Sequence, residues 1–445
     1  MDGEAAHRRA PQGLTVRAAA IAAAALLALA AGVRPPQTPA KYDLLLRGGR
    51  VIDARNGVDA VRDVAIAAGK IALVAPRIDA GEAAKTVDVP DLYVTAGLVD
   101  IHAHVYTGTG EPGSYAGDNS VYPDGFTFRT GVTTVVDAGG SGWRNFDDFK
   151  ARVIDRSRTR VLAFLNIVGH GMRGGKFEQD LADMDVQPAA DVAKKHKGVI
   201  VGIKTAHYAG PQWTPVDRAV AAGSAADVPL MVDFGTDHPD TRPLAELVTK
   251  KLRPGDIYTH MYSGLRNELV AGRPNPGMVE ARARGVIFDV GHGGGSFLWR
   301  VAVPMIQAGF LPDSISTDLH IGSMNAGMKD MLNVMSKFLA MGVPLPRVVA
   351  LATWNPAREI KQEGLGHLTP GAAADIAVLR LEKGRFGFID MYGARLSANT
   401  RLVAEMTLKD GRIVYELNGL SRPEWTTLPA DYRATGDPRW DGTRR

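Results

Sequence analysis

Between residues 96 and 360, apolar runs rich in valine and isoleucine alternate with longer amphipathic stretches, and no other feature constrains the fold as tightly. Candidate strands lie at 97–101, 133–137, 161–167, 199–204, 230–234, 256–260, 286–290 and 314–317. Helical stretches such as 145–156, 215–226, 243–251 and 297–308 fall between them. The runs are nearly continuous, as strands covered on both faces must be. Eight strand–helix units in roughly 250 residues make an α/β fold, a parallel (β/α)8 barrel of the TIM type. In that fold reactive side chains sit where each strand gives way to the next loop, so the residues that close the runs are where chemistry belongs.

His102 and His104 close the first run, in Leu98-Val99-Asp100-Ile101-His102-Ala103-His104. Residues two apart on a strand share a face, so one strand end offers both imidazoles to one ion. Lys204 ends the fourth run, Asp233 the fifth and His260 the sixth, His292 follows the seventh, and Asp318 ends the eighth. Each alone has an ordinary reading: a lysine can snorkel, an aspartate can cap a helix. Metal-ligand types at six strand ends are far harder to attribute to chance. The chain has no cysteine, so any metal must be held by imidazole, carboxylate or a modified lysine.

The flanks read differently. Short strands at 43–46, 61–67 and 70–74 are separated by glycine turns, and the same texture returns at 375–379, 401–408 and 412–415. Gly69-Lys70-Ile71 and Gly411-Arg412-Ile413 look like matched hairpins. The expectation is one small composite β domain from both chain ends (residues 40–95 and 361–420) around a barrel at 96–360. A polar C-terminal tail follows at 421–445. Residues 1–39 carry Arg8, Arg9 and Arg17, an apolar run from Ala18 to Val33 with Ala28-Leu29-Ala30 inside it, and a proline-rich linker. That pattern describes a secretory signal peptide and an exported, periplasmic or secreted protein. An uncleaved N-terminal anchor is the alternative, although the run is short and alanine-rich for a spanning helix of about 20 residues.

A formal charge of +4 with scattered Arg and Lys leaves no nucleic-acid footprint. No Gly-x-Ser-x-Gly elbow with a sensible partner supports serine hydrolysis. The run His292-Gly293-Gly294-Gly295-Ser296 lacks the Lys-Ser/Thr of a phosphate-binding P-loop and reads as a substrate loop. The expected partners are a small-molecule substrate and further copies of the chain in a homo-oligomer. A membrane enters only if the leader is retained.

The order H-x-H, lysine, histidine and aspartate at strands one, four, six and eight resembles the amidohydrolase superfamily. So do Gly97-Leu98-Val99-Asp100-Ile101-His102-Ala103-His104-Val105-Tyr106, Val121-Tyr122-Pro123-Asp124-Gly125, Gly131-Val132-Thr133-Thr134-Val135-Val136-Asp137-Ala138-Gly139 and Ser316-Thr317-Asp318-Leu319-His320. Within the superfamily the chain looks like the amidohydrolase/deacetylase branch related to dihydroorotases and D-aminoacylases, over roughly residues 42–420. The resemblance implies that Lys204 is carbamylated and bridges two metals, which requires the uncharged amine that burial favours. His102, His104 and Asp318 would hold the first ion, and His260 with a fifth-strand residue the second. The ions would be one or two Zn2+. Metal-activated hydroxide would attack an amide or ester carbonyl, with Asp318 as general base and acid.

The chain departs from the family at the fifth strand, where the usual histidine is Asp233. A carboxylate can ligate zinc at about 2.0–2.2 Å, though its charge leaves a more neutral cluster. His207 or His238 are the alternatives for completing the site. The loop at 105–124 reads as a lid, and Tyr106, Tyr115, His207, His292 and His320 as substrate contacts. The expected activity is a deacetylase-like hydrolysis. A cyclic amidase of the dihydroorotase or hydantoinase kind, or a lactonase, would use the same chemistry. A non-catalytic metal- or ligand-binding barrel is the reading from another class.

Overall fold

The computed structural model describes residues 40–233 and 241–431. The leader, His238 and most of the C-terminal tail lie outside the described residues, as does the end of the expected fifth strand. Seven parallel strands form one sheet in sequence order: Leu98–Ala103, Val132–Gly142, Arg160–Asn166, Ile200–Thr205, Leu230–Val232, Ile257–Tyr258 and Ile287–Phe288. The segment 314–319 closes the ring, with Ser314 bridging to Asp289 beside the seventh strand and Leu319 to Ala103 of the first.

This eighth segment is not a regular strand. The Thr317 N–H donates to Asp100 Oδ1 at 3.1 Å instead of joining a backbone ladder. The sixth strand is shorter than its apolar run because the backbone turns left-handed at His260, with φ +63°. Neighbouring residues of the strands enter two different apolar clusters. Val99, Val136, Phe164, Val201 and Met231 pack together, while Leu98, Val135, Ala163, Ile200 and Leu230 belong to the larger cluster that includes the helices. Covering both faces removes the alternation a half-exposed strand would show.

Helices follow the strands, among them Phe146–Arg152, Val186–Lys195, Thr214–Ala226 and Trp299–Gln307. The helical stretch expected at 243–251 is a short helix, Leu244–Glu246, continued by a wider π turn, Leu247–Lys251. Among the described residues, no helix is long and apolar enough to cross a membrane.

The two chain ends share one sheet. Its order is Arg412–Glu416, Arg395–Lys409, Ile376–Ile389, Tyr93–Ala96, Leu44–Asp53, Val58–Ala67 and Lys70–Ala75. The two similar hairpin turns lie against each other: Ala68-Gly69 and Asp410-Gly411 all have positive φ, as a primed turn requires. Gly69 O accepts from Ala374 N, and Gly411 N donates to Ala374 O, both at 2.9 Å. The hairpin Ile376–Ile389/Arg395–Lys409 is far longer than its apolar segments. Its outer half, with Glu382, Lys383, Arg385 and Arg401, is ordered by tertiary contacts, including Leu402 N to Ser336 Oγ at 2.9 Å and Trp299 Nε1 to Ala394 O at 2.9 Å.

Candidate metal centre

The barrel brings the strand-end residues to one place. His102, His260 and Asp318 each offer a ligand atom, and these atoms lie within 4.8 Å of one another. His104 Nε2 is 2.9 Å from Asp318 Oδ1, and Lys204 Nζ is 3.3 Å from His102 Nε2. Lys204 fits here because Gly139 faces it: a Cβ on residue 139 would lie 2.7 Å from Lys204 Cγ. Asp318, His260 and His207 all hold left-handed backbone, with φ +53°, +63° and +58°. Non-glycine residues in that region cost roughly 1–3 kcal/mol each and collect at functional sites.

Burial governs the charges. It pushes His102 well below its ordinary value, with the Lys204 charge adding to the effect, and takes His104 down to about 4. Both imidazoles are therefore neutral. Burial also lowers the Lys204 amine, against the pull of Asp233 and Asp318. Asp318 is buried too, but the surrounding imidazoles outweigh that cost and hold its carboxyl well below the usual range. His260 Nδ1 donates to Gly291 O at 2.5 Å and its Nε2 lies 3.3 Å from Asp233 Oδ2. Burial disfavours its charged form, but the Asp233 and Asp318 carboxylates prevail and raise it above its ordinary value.

Asp233 has a second partner, His207 Nε2 at 3.2 Å, whose Nδ1 is 2.7 Å from Glu178 Oε2. Burial disfavours a charged His207, but hydrogen bonds to Asp233 and Glu178 prevail and raise it to about 10. Glu178 comes from the short turn Gly175–Gln179, and no pattern in the sequence marks it. Three other carboxylates that the strand-end argument did not use stand behind the site. Asp137 Oδ2 accepts from Val105 N at 2.8 Å and anchors the start of the loop after strand one. Asp100 accepts the Thr317 hydroxyl and N–H, joining strands one and eight. Asp289 accepts from three hydroxyls, Thr259, Ser314 and Ser316. Their signal is a carboxylate inside an apolar run, as in Asp100 two residues before His102.

A cleft of about 560 Å3 opens over the centre, lined by His104, Tyr115, His207, Asp233, His260, Asp318, His320 and the backbone of Gly294–Gly295. Tyr115 lies against His104, His320 and His207, with ring centroids 4.5, 5.0 and 5.8 Å away. Two residues expected at the substrate are not part of this lining. The Tyr106 hydroxyl donates to Asp148 Oδ2 at 2.7 Å, and its ring packs on Phe149. His292 is fully buried, stacked on Phe297, with Lys337 Nζ 2.5 Å from its Nε2. Apolar surroundings took both rings inward, and the glycines after His292 face the cleft instead.

The deacetylase of Agrobacterium fabrum is 32% identical over 356 residues, 78% of this chain and 85% of that protein. The chain belongs to the amidohydrolase family. The family model described as "Amidohydrolase family" matches residues 304–415. Among solved structures, an adenine deaminase superposes with a TM-score of 0.76 at 28% identity, covering 84% of this chain and 100% of that one. A dihydroorotase superposes with a TM-score of 0.72 at 29% identity, covering 84% and 99%. This amidohydrolase is therefore a barrel hydrolase of a metal-dependent family. Its donor set fits that dependence: the His102 and His104 imidazoles, kept neutral by burial, beside the ionised Asp318 carboxylate suit a divalent ion of borderline softness.

Proposed function

We propose that this amidohydrolase removes an acyl group from an amide or ester of a small molecule, in a deacetylase-like reaction. The observation that carries the proposal is the convergence of His102, His260 and Asp318 within 4.8 Å, with His260 and Asp318 lining a cleft of small-molecule size. The deacetylase of Agrobacterium fabrum, similar over most of both chains, supports the acyl class.

His102, His104, Asp233, His260, Asp318 and Lys204 as its carbamate would hold one or two divalent ions, with zinc suited to this mixed set. When bound, such ions act as Lewis acids toward the carbonyl oxygen and make water acidic near neutral pH. The chain's own residues do the rest. Asp318, kept ionised, accepts the proton of the attacking water and returns it to the departing nitrogen or oxygen. The Lys204 amine, depressed by burial, attacks carbon dioxide, forming an N–C bond and releasing a proton to give the carbamate. Tyr115, His207 and His320 line the path to the acyl group and orient it.

The test is turnover of a panel of N-acetyl and O-acetyl compounds by untreated, chelated and zinc-reloaded protein. Metal-dependent release of acetate is the expected result; no turnover by protein that holds metal favours the binding barrel. Ring opening of cyclic amides alone would favour a cyclic amidase, a reading supported by the dihydroorotase superposition at a TM-score of 0.72. A lactonase is scored by lactone opening in the same panel. Mass spectrometry of native protein without acidification reads the carbamate on Lys204.

Export is proposed with this activity, on the basic and apolar leader at residues 8–33. The protein recovered from the periplasm or medium, lacking those residues, is the expected outcome.

A further inference from the structure

An imidazole binds an ion through the ring nitrogen that carries no hydrogen, and the partner of the other nitrogen decides which one that is. At His102 the deciding group is a hydroxyl. Thr259 Oγ1 lies 3.0 Å from His102 Nδ1 and 2.7 Å from Asp289 Oδ2. Asp289 also receives Ser314 Oγ at 2.8 Å and Ser316 Oγ at 2.6 Å. All three hydroxyls donate to this carboxylate, Thr259 and Ser316 to Oδ2 and Ser314 to Oδ1, and a hydroxyl has a single hydrogen. The Thr259 hydrogen is therefore committed to Asp289, and its oxygen must accept from His102 Nδ1–H. Direct contact does not substitute, since His102 Nδ1 and Asp289 Oδ2 are 4.0 Å apart.

The backbone preserves this arrangement. A Cβ on Gly291 would collide with Thr259 Oγ1 and lie 3.0 Å from His102 Nδ1. Gly291 N donates to Ser316 Oγ at 2.9 Å, while Gly291 O receives His260 Nδ1. The end of strand seven thus addresses the Nδ1 atoms of two imidazoles, one through Thr259 and one directly.

We propose that Thr259 and Asp289 are positioning residues for the metal centre, which together hold His102 as its Nδ1–H tautomer and turn the Nε2 lone pair toward Lys204 and Asp318. Nε2 lies 3.3 Å from Lys204 Nζ and 3.6 Å from Asp318 Oδ1, among the side chains that would hold an ion. The inference rests on the reading of His102 as a ligand. Orienting partners of this kind typically change metal affinity about 10–100-fold when removed.

The experiment uses the full chain with 15N-labelled histidine, the His102 signals being assigned by their loss in H102N. In metal-free wild type the expected result is hydrogen on Nδ1 and none on Nε2. T259V keeps the side-chain shape and removes the hydroxyl; it is expected to show mixed tautomers and bind Zn2+ about 10–100-fold more weakly in competition with a chelator. T259S restores the hydroxyl and is expected to restore both. Hydrogen on Nε2 in wild type overturns the proposal, as does T259V binding Zn2+ as tightly as wild type. If T259V does not fold, the wild-type tautomer and the T259S affinity still decide. Wild type that binds no ion overturns the metal reading as well, whereas tight binding that ignores Thr259 overturns this inference alone.

Discussion

Gly293 and Asp318 face each other so closely that a Cβ on residue 293 would lie 2.5 Å from Asp318 Oδ2. Gly293 also holds φ +55°. The glycine run read as a substrate loop therefore also lays bare backbone against the carboxylate expected to move the proton. G293A is expected to cost about 1–2 kcal/mol from left-handed alanine. It should also lower acetyl hydrolysis on the order of 10²-fold, as misplaced catalytic groups do. Thermal melting and steady-state rates check both, and G295A, with nothing within 4 Å of its Cβ, is the control for melting temperature.

Asp318 itself is the proton carrier in the proposed reaction. D318N keeps the shape and removes the charge, so turnover is expected to fall about 10²–10⁴-fold. Circular dichroism should remain that of the wild type. Unchanged turnover would remove Asp318 from the mechanism.

Asp233 stands where the family usually has a histidine, between His207 and His260 at 3.2 and 3.3 Å. As a ligand it should be replaceable by another ligand type and not by an apolar group. Metal content after dialysis is expected to fall in D233A and to persist in D233H. Wild-type content in D233A would show that Asp233 only orients its histidine neighbours.

Lys337, which is not among the proposed ligands, gives a pH-dependent test. Its amine donates to Gly327 O at 2.8 Å, Ile389 O at 2.7 Å and His292 Nε2, and burial depresses it to about 7. Between that value and the ordinary 10.5, the unfolded chain holds a proton that the folded chain has lost. Stability therefore rises with pH across this window. Relative to K337M, wild type is expected to gain a few kcal/mol between about pH 7 and pH 10, since one pKa unit is worth about 1.4 kcal/mol. Urea unfolding of both proteins across that range reads the difference, and a flat difference would contradict the burial argument.

The amino-acid sequence by itself determined the barrel, the shared β sheet and the strand ends where ligand types gather. Those features follow from local rules: an apolar run buried on both faces, a turn with positive φ, a residue at the end of a strand. Tertiary structure alone decided which of those side chains face the cleft. It turned His292 and Tyr106 into apolar packing, and brought Glu178 to His207 from a turn with no distinguishing pattern. It also set Thr259 against His102 across 157 residues of chain. The reason is physical. Periodicity reports which face a residue presents to its own strand, whereas a hydrogen bond between strands depends on ring closure, register and the space left by glycines at 139, 291 and 293.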